Sequence, residues 1–150
     1  MQAVLRVLQG VAVLQMLGDT LPYPNRSIVA TERNGIRIEW TQRDITPPGV
    51  DGEYWFDGTV FLSALTLVTD KSAILANGID GATVTASLPD PTATETITFV
   101  IDGDEAGAVP VQAVAGRGTL VYKTTKPSQH FIEVRSSTKY GRNFVEVKAS

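Results

Sequence analysis

Residues 73–90 read AILANGIDGATVTASLPD, and the fold of most of the chain turns on them. The segment opens with a short apolar run and passes through Asn77-Gly78 and Asp80-Gly81. It then alternates small apolar and hydroxyl residues from Ala82 to Leu88 and stops at Pro89-Asp90. Alternation with period two describes a strand with one buried face. Val84, Ala86 and Leu88 are expected inside, with Thr83, Thr85 and Ser87 outside. Asn-Gly and Asp-Gly readily take the left-handed backbone. Both are therefore expected to turn the chain sharply and feed an edge segment into the strand.

The same period recurs on the C-terminal side. From residue 62, alternating runs arrive at the roughly 8–12-residue spacing of an all-β sandwich. They are LSALTLV, AILA, ATVTASL, ETITFVI, AVPVQAV, GTLVYK, HFIEVRS and NFVEVK. Further inward faces are expected at Ile97, Phe99 and Ile101, at Ile132 and Val134, and at Val145 and Val147, with Glu133 and Arg135 left in water.

Before residue 62 the texture is different. Gln9-Gly10 separates AVLRVL from VAVLQML, which predicts a hairpin. GDTLPYPN is a loop whose backbone Pro22 and Pro24 restrict. Asn34-Gly35 stands between two runs, the second alternating Ile36, Ile38 and Trp40, and Asp57-Gly58 tips the hairpin EYWFDGTVFL. Trp40, Tyr54, Trp55, Phe56 and Phe61 are expected to form the core of this small module, a sugar-binding platform being the alternative. The fold class is all-β: a hairpin-rich N-terminal module over residues 1–61, followed by a β-sandwich over residues 62–150, with no long helix.

The totals agree with such a chain. Its 150 residues, 43% hydrophobic and 19% charged, are globular in composition. They suffice for one sandwich of about 100 residues and a small extra module. A net charge of −3 and a pI of about 5.1 exclude an electrostatic nucleic-acid binder. The absence of cysteine excludes disulfides, thiolate metal sites and cysteine nucleophiles. A single histidine, His130, excludes multi-histidine metal sites. Lacking a serine motif or a cysteine partner, it is expected at a surface or cross-strand position. No apolar run reaches the ~18 residues of a membrane span. The opening MQAVLRVLQGVAVLQMLGD has no A-x-A site, and no cleaved signal is expected in it.

Chemistry is sparse. IDGDEAG (101–107) gathers Asp102, Asp104 and Glu105 and reads as a solvated turn, with a Ca²⁺ loop as the alternative, although the ligand spacing of an EF-hand is missing. GRG (116–118) has neither the strand-loop-helix context nor the lysine of a phosphate loop. The carboxylates are scattered over turns, so no acid–base pair can be named. The chain is read as non-enzymatic, with no catalytic residue, no cofactor and no metal. Charge is unevenly spread along it: seven acidic residues against one lysine over 62–115, then seven basic residues against two glutamates over 116–150. Either the strands interleave and the signs mix in space, or a polar face docks against copies of the chain or a neighbouring subunit.

ILANGIDGATVTASLPD resembles the start of bacterial Ig-like domains of the invasin/intimin type, which run from an apolar pair through an ADG- or ANG-like turn to T-x-T-A-x-V-x-D. ITFVIDGD stands where that family has its V-T-F strand, and GRGTLVYKTT with HFIEVRS where it has G-x-A-x-x-x-L and its last strands. DPTATET replaces the family's usual D-x-N-G-N-P-V turn. The resemblance covers residues 62–150 and implies an Ig-like sandwich; its motifs specify a fold and no ligand. More loosely, PYPNRSIV, GIRIEWT, TPPG and YWFDGTVF are similar to segments of small structural proteins of tailed bacteriophages, in a different order and spacing.

Together the two resemblances imply a virion structural protein. Residues 1–61 would anchor it to the particle through the crowded apolar residues Val4, Leu5, Val7, Leu8, Val11, Val13, Leu14 and Leu17. Its partners would be other virion proteins or copies of itself, with host-surface carbohydrate as a weaker possibility. The alternative is an adhesion or carbohydrate-binding module at a bacterial surface. Such a module is expected to carry a secretion signal and tandem repeats, and neither pattern is present in the 150 residues.

Overall fold

The computed structural model describes residues 2–8, 11–17, 28–31, 37–40, 52–57, 60–136 and 140–150. Strands, isolated bridges, turns, bends and irregular connections make up the described residues, with no helix among them. The protein is all-β. Two compact units divide after Ala64.

In the first unit, β1 (Gln2–Leu8) and β2 (Val11–Leu17) pair antiparallel from Gln2↔Leu17 to Leu8↔Val11, the hairpin expected about Gln9-Gly10. β3 (Ile28–Thr31) and β4 (Arg37–Trp40) form a separate antiparallel pair, and the Asn34-Gly35 turn expected between them lies outside the described residues. β5 (Gly52–Phe56) and β6 (Phe61–Ser63) complete a four-stranded sheet in the order β1-β2-β5-β6. At the β5–β6 connection Asp57 N–H donates to the Val60 carbonyl (3.1 Å), and Val60 N–H donates to Asp57 Oδ1 (2.8 Å). Gly58 lies outside the described residues.

The aromatic core expected here is not what forms. Tyr54, Trp55, Phe56 and Phe61 are only half-buried, while Val11, Val13 and Leu14 of β2 are fully buried. The reason is geometric. Consecutive residues of a strand point to opposite faces, so Tyr54, Trp55 and Phe56 cannot gather in one core. Phe56 and Phe61 meet across β5 and β6, with ring centroids 5.1 Å apart. The side chain of Trp40 lies outside the described residues.

The second unit is a two-sheet sandwich. β7 (Thr66–Thr69), β9 (Ala82–Ser87) and β12 (Arg117–Tyr122) form one sheet in the order β12-β9-β7. β8 (Ala73–Ile74), β10 (Thr96–Ile101), β11 (Val109–Gln112), β13 (Ser128–Ser136) and β14 (Asn143–Ala149) form the other, in the order β11-β10-β13-β14-β8. The chain changes sheet between β9 and β10, between β11 and β12, and between β12 and β13. Its first strand is split, β7 lying antiparallel on β9 and β8 parallel on β14. That strand order is Ig-like.

Side chains from both sheets meet in a single core that includes Leu67, Val84, Phe99, Ile132, Val134 and Val147. Val84, Ala86 and Leu88 are buried as the alternation predicts, as are Ile97 and Phe99, while Ile101 and Val145 pack against the core from its margin. Asn143, itself buried, donates from Nδ2 to the Leu65 carbonyl (2.6 Å), and Leu65 N–H donates to the Gly141 carbonyl (3.0 Å). The head of the unit is thereby tied to its last strand.

The two glycines of the opening stretch play different parts. Gly78 has φ +73°, as the turn reading requires. Asn77 Oδ1 accepts the N–H groups of Ile79 and Asp80, at 2.8 Å each. Gly81 has no positive φ. A Cβ there would meet Lys123 Cγ at 3.0 Å and the Tyr122 carbonyl oxygen at 3.1 Å. Gly81 is small so that the chain can pass close to β12, and the expectation of a second left-handed turn is corrected.

Candidate interaction surfaces

Of the eight apolar residues singled out near the N-terminus, Val11, Val13 and Leu14 are buried and Leu8 is half-buried. All eight lie on the β1–β2 hairpin. The side chains of Val4, Leu5, Val7 and Leu17 lie outside the described residues.

Exposed apolar residues occur on the sandwich. Ile79 is 78% exposed, and Leu75, Val121 and Val68 are also open to solvent. Ile79 and Leu75 stand on the segment between β8 and β9, whose backbone is unusually well held. Asp80 Oδ2 accepts Leu75 N–H (2.9 Å), and Asp80 Oδ1 accepts Lys71 Nζ (2.7 Å). Gly78 N–H donates to the Thr124 carbonyl (3.0 Å). The Lys71 ammonium and the Leu75 N–H hold the Asp80 carboxyl below the usual carboxylate range. Val121 lies beside this segment, its Cγ1 3.2 Å from where a Cβ on Gly81 would stand. Sequence reasoning read the two turn dipeptides as folding signals and missed that they present two apolar side chains.

An ionic network occupies the outer face of the five-stranded sheet. Glu133, expected in water, is 4% exposed. It faces Val100 on β10 and Phe144 on β14 directly across the ladder, and their bulk shields it. Its carboxylate is matched by Arg135 Nε at 2.7 Å and Arg142 Nη1 at 3.3 Å. Arg135 also grips Glu105 with both terminal nitrogens, at 3.0 Å and 2.6 Å, a two-pronged match of guanidinium to carboxylate. Glu133 first and Glu105 second raise the Arg135 pKa, and Arg135 lowers that of Glu105. Val100 and Phe131 on the same face are also buried, so a strand that alternates in sequence is covered on both sides here. Glu105 from the acidic half of the unit meets Arg135 from the basic half, and Asp102 likewise meets His130. The signs mix in space.

In the 101–107 turn the three carboxylates are held by separate protein donors and do not converge. Asp102 accepts Phe131 N–H (2.8 Å), Asp104 accepts Gly107 N–H (3.1 Å), and Glu105 is taken by Arg135. Among the described residues no group of three His, Asp or Glu side chains is placed to hold a metal ion. Addition of EDTA is expected to leave the melting temperature unchanged; a large drop would restore the calcium alternative.

Of the two positions expected for His130, the surface one is corrected, since it is 4% exposed, and the cross-strand one holds, with His130 opposite Val147 of β14. Its ring points toward the sandwich interior, with its centroid 5.4 Å from that of Tyr122. His130 shares the parity of Ile132 and Val134, so the alternation of β13 carried back two residues already placed it on the inward face.

No protein-family model and no curated protein matches the chain. Among solved structures it is similar to the C-terminal 282-residue fragment of intimin, determined in complex with the intimin-binding domain of the translocated intimin receptor, Tir. The identity is 21% and the TM-score 0.49, over 58% of this chain and 33% of that one. The match thus spans about a third of the intimin fragment, and the Ig-like assignment rests on the strand order of the two sheets.

Proposed function

We propose that the chain is a non-enzymatic structural protein of a tailed-bacteriophage virion, in which residues 1–61 anchor to the particle and the Ig-like sandwich is displayed for contact with another protein. The observation that carries the display role is the segment between β8 and β9. It presents Leu75 and Ile79 to solvent from a backbone fastened by Asn77, Asp80 and Gly78. Exposed apolar side chains on an ordered loop favour protein contact, because little conformational entropy is lost on binding. The placement in a virion is supported by the phage-like segments PYPNRSIV and YWFDGTVF. The proposed anchor is the β1–β2 hairpin, which carries all eight of the apolar residues Val4, Leu5, Val7, Leu8, Val11, Val13, Leu14 and Leu17, with Val11, Val13 and Leu14 buried in it.

The test is sedimentation of the 150-residue chain, and of its 62–150 fragment, with phage particles lacking the protein. The fragment holds every member of the sandwich core and is expected to fold alone. Only the 150-residue chain should sediment with particles. Binding by the fragment would make the sandwich the anchor, and binding by neither would remove the virion reading. The exposed loop equally suits an adhesion module at a bacterial surface. In that case Ile79→Ser should abolish binding to cells while particle binding is absent throughout.

A further inference from the structure

His130 is the single histidine of the chain, and three segments set its surroundings. β13 carries it opposite Val147 of β14. The tight turn after β10 brings Asp102, at φ 51°, so that its Oδ2 lies 2.7 Å from His130 Nδ1. The 123–127 segment brings the Lys126 carbonyl oxygen to 2.9 Å from Nε2. Both ring nitrogens therefore face oxygen acceptors. Neutral imidazole has one N–H and one lone pair, so it can satisfy only one of them. The imidazolium donates to both.

We propose that His130 and Asp102 form a proton-operated clasp, closed while His130 is charged, that fastens the 123–127 segment and the β10–β11 turn to the end of the sandwich. Asp102 is anchored independently, since its Oδ1 accepts Phe131 N–H. The other titratable groups bearing on the ring are Tyr122 of β12, its ring centroid 5.4 Å away, and the Lys126 ammonium, whose charge opposes protonation; β14 contributes Val147, which does not titrate. Burial pushes the His130 pKa down, but the Lys126 carbonyl and the Asp102 carboxylate together outweigh it and hold the value above that of an ordinary histidine.

A folded-state value above the unfolded one gives the sign. The clasp contributes fully below about pH 6.5, the ordinary histidine value, and its contribution is lost as the pH rises through the folded value. The effect reaches the exposed loop. Gly78 N–H donates to the Thr124 carbonyl, and Thr125 Cγ2 lies 3.2 Å from where a Cβ on Gly78 would stand, so the loop bearing Leu75 and Ile79 rests on the segment that the clasp holds.

One histidine yields one imidazole titration curve by NMR. Its midpoint is expected above the ordinary value of about 6.5. After correction for intrinsic rates, the Gly78 amide should exchange about tenfold faster above the midpoint than below it. Asp102→Asn keeps an acceptor for Phe131 N–H and a residue type that tolerates left-handed backbone, so it removes the charge and spares the turn. It should lower the midpoint by roughly one unit or more and shift the exchange step with it, and His130→Gln should abolish the step. A parent midpoint at or below about 6.5, an unchanged midpoint in Asp102→Asn, or a step that persists in His130→Gln would each overturn the clasp. Should Asp102→Asn fail to fold, the parent's titration and exchange curves, with His130→Gln, decide alone.

Discussion

Phe99→Ala is expected to destabilise the sandwich by roughly 3–5 kcal/mol, the usual cost of emptying a buried phenylalanine site. Among the described residues Phe99 heads the fully buried side chains by volume. It lies on β10, flanked by Val109 on β11 and Val134 on β13, and belongs to the core shared by both sheets. Strands hydrogen-bonded on both sides cannot collapse into a hole, so most of the cavity should persist. The measurement is urea unfolding followed by the His130 imidazole resonance, which reports from inside the sandwich. Ile79→Ala, at an exposed position, serves as the control and should change stability by less than about 0.5 kcal/mol. A loss below about 1 kcal/mol for Phe99→Ala would mean that this residue does not fill a packed core.

Gly116→Val is expected to cost roughly 3 kcal/mol or more, because backbone strain and steric overlap act together. Gly116 has φ +71°, and a Cβ there would stand 2.6 Å from the Asp90 carbonyl oxygen and 2.9 Å from Pro91 Cα, both of them backbone atoms. Retreat is blocked as well. Gly116 N–H donates to the Ala93 carbonyl (2.9 Å), and its own carbonyl accepts Leu88 N–H (2.7 Å). Ala115, at φ 49°, precedes it, and the two form the left-handed turn between Val114 and Arg117. Ala115→Asn provides the contrast. It places a residue suited to left-handed backbone where alanine is strained, and should stabilise by about 0.5–1 kcal/mol. Thermal melts of both variants check the pair; a Gly116→Val protein that melts like the parent would rule out the left-handed turn.

How much was legible in advance depended on the range of the interaction. Val84, Ala86, Leu88, Ile97 and Phe99 were readable as core because alternation within one strand already places them on one face. Gly78 was readable because Asn-Gly has a local backbone preference. Glu133 was misjudged because alternation shows only that it points away from Ile132 and Val134, not that Val100, Phe144, Arg135 and Arg142 would enclose it. The aromatic residues of the first unit were misjudged for a related reason: clustering in sequence puts neighbours in a strand on opposite faces.

By itself, the sequence determined the all-β class, the period-two faces of the sandwich strands and several of the turns, all consequences of backbone and side-chain preferences acting over a few residues. Only the tertiary structure decided which strands became neighbours, and hence which polar groups met. β8 pairs with β14 although Ala73 and Lys148 are far apart in the chain. Arg135 finds Glu105 thirty residues away, and His130 finds Asp102 at a separation of 28. Such partners are selected by the packing of two whole sheets around one core, which no short window of residues contains. The candidate clasp and the ionic network around buried Glu133 therefore exist only in the folded sandwich.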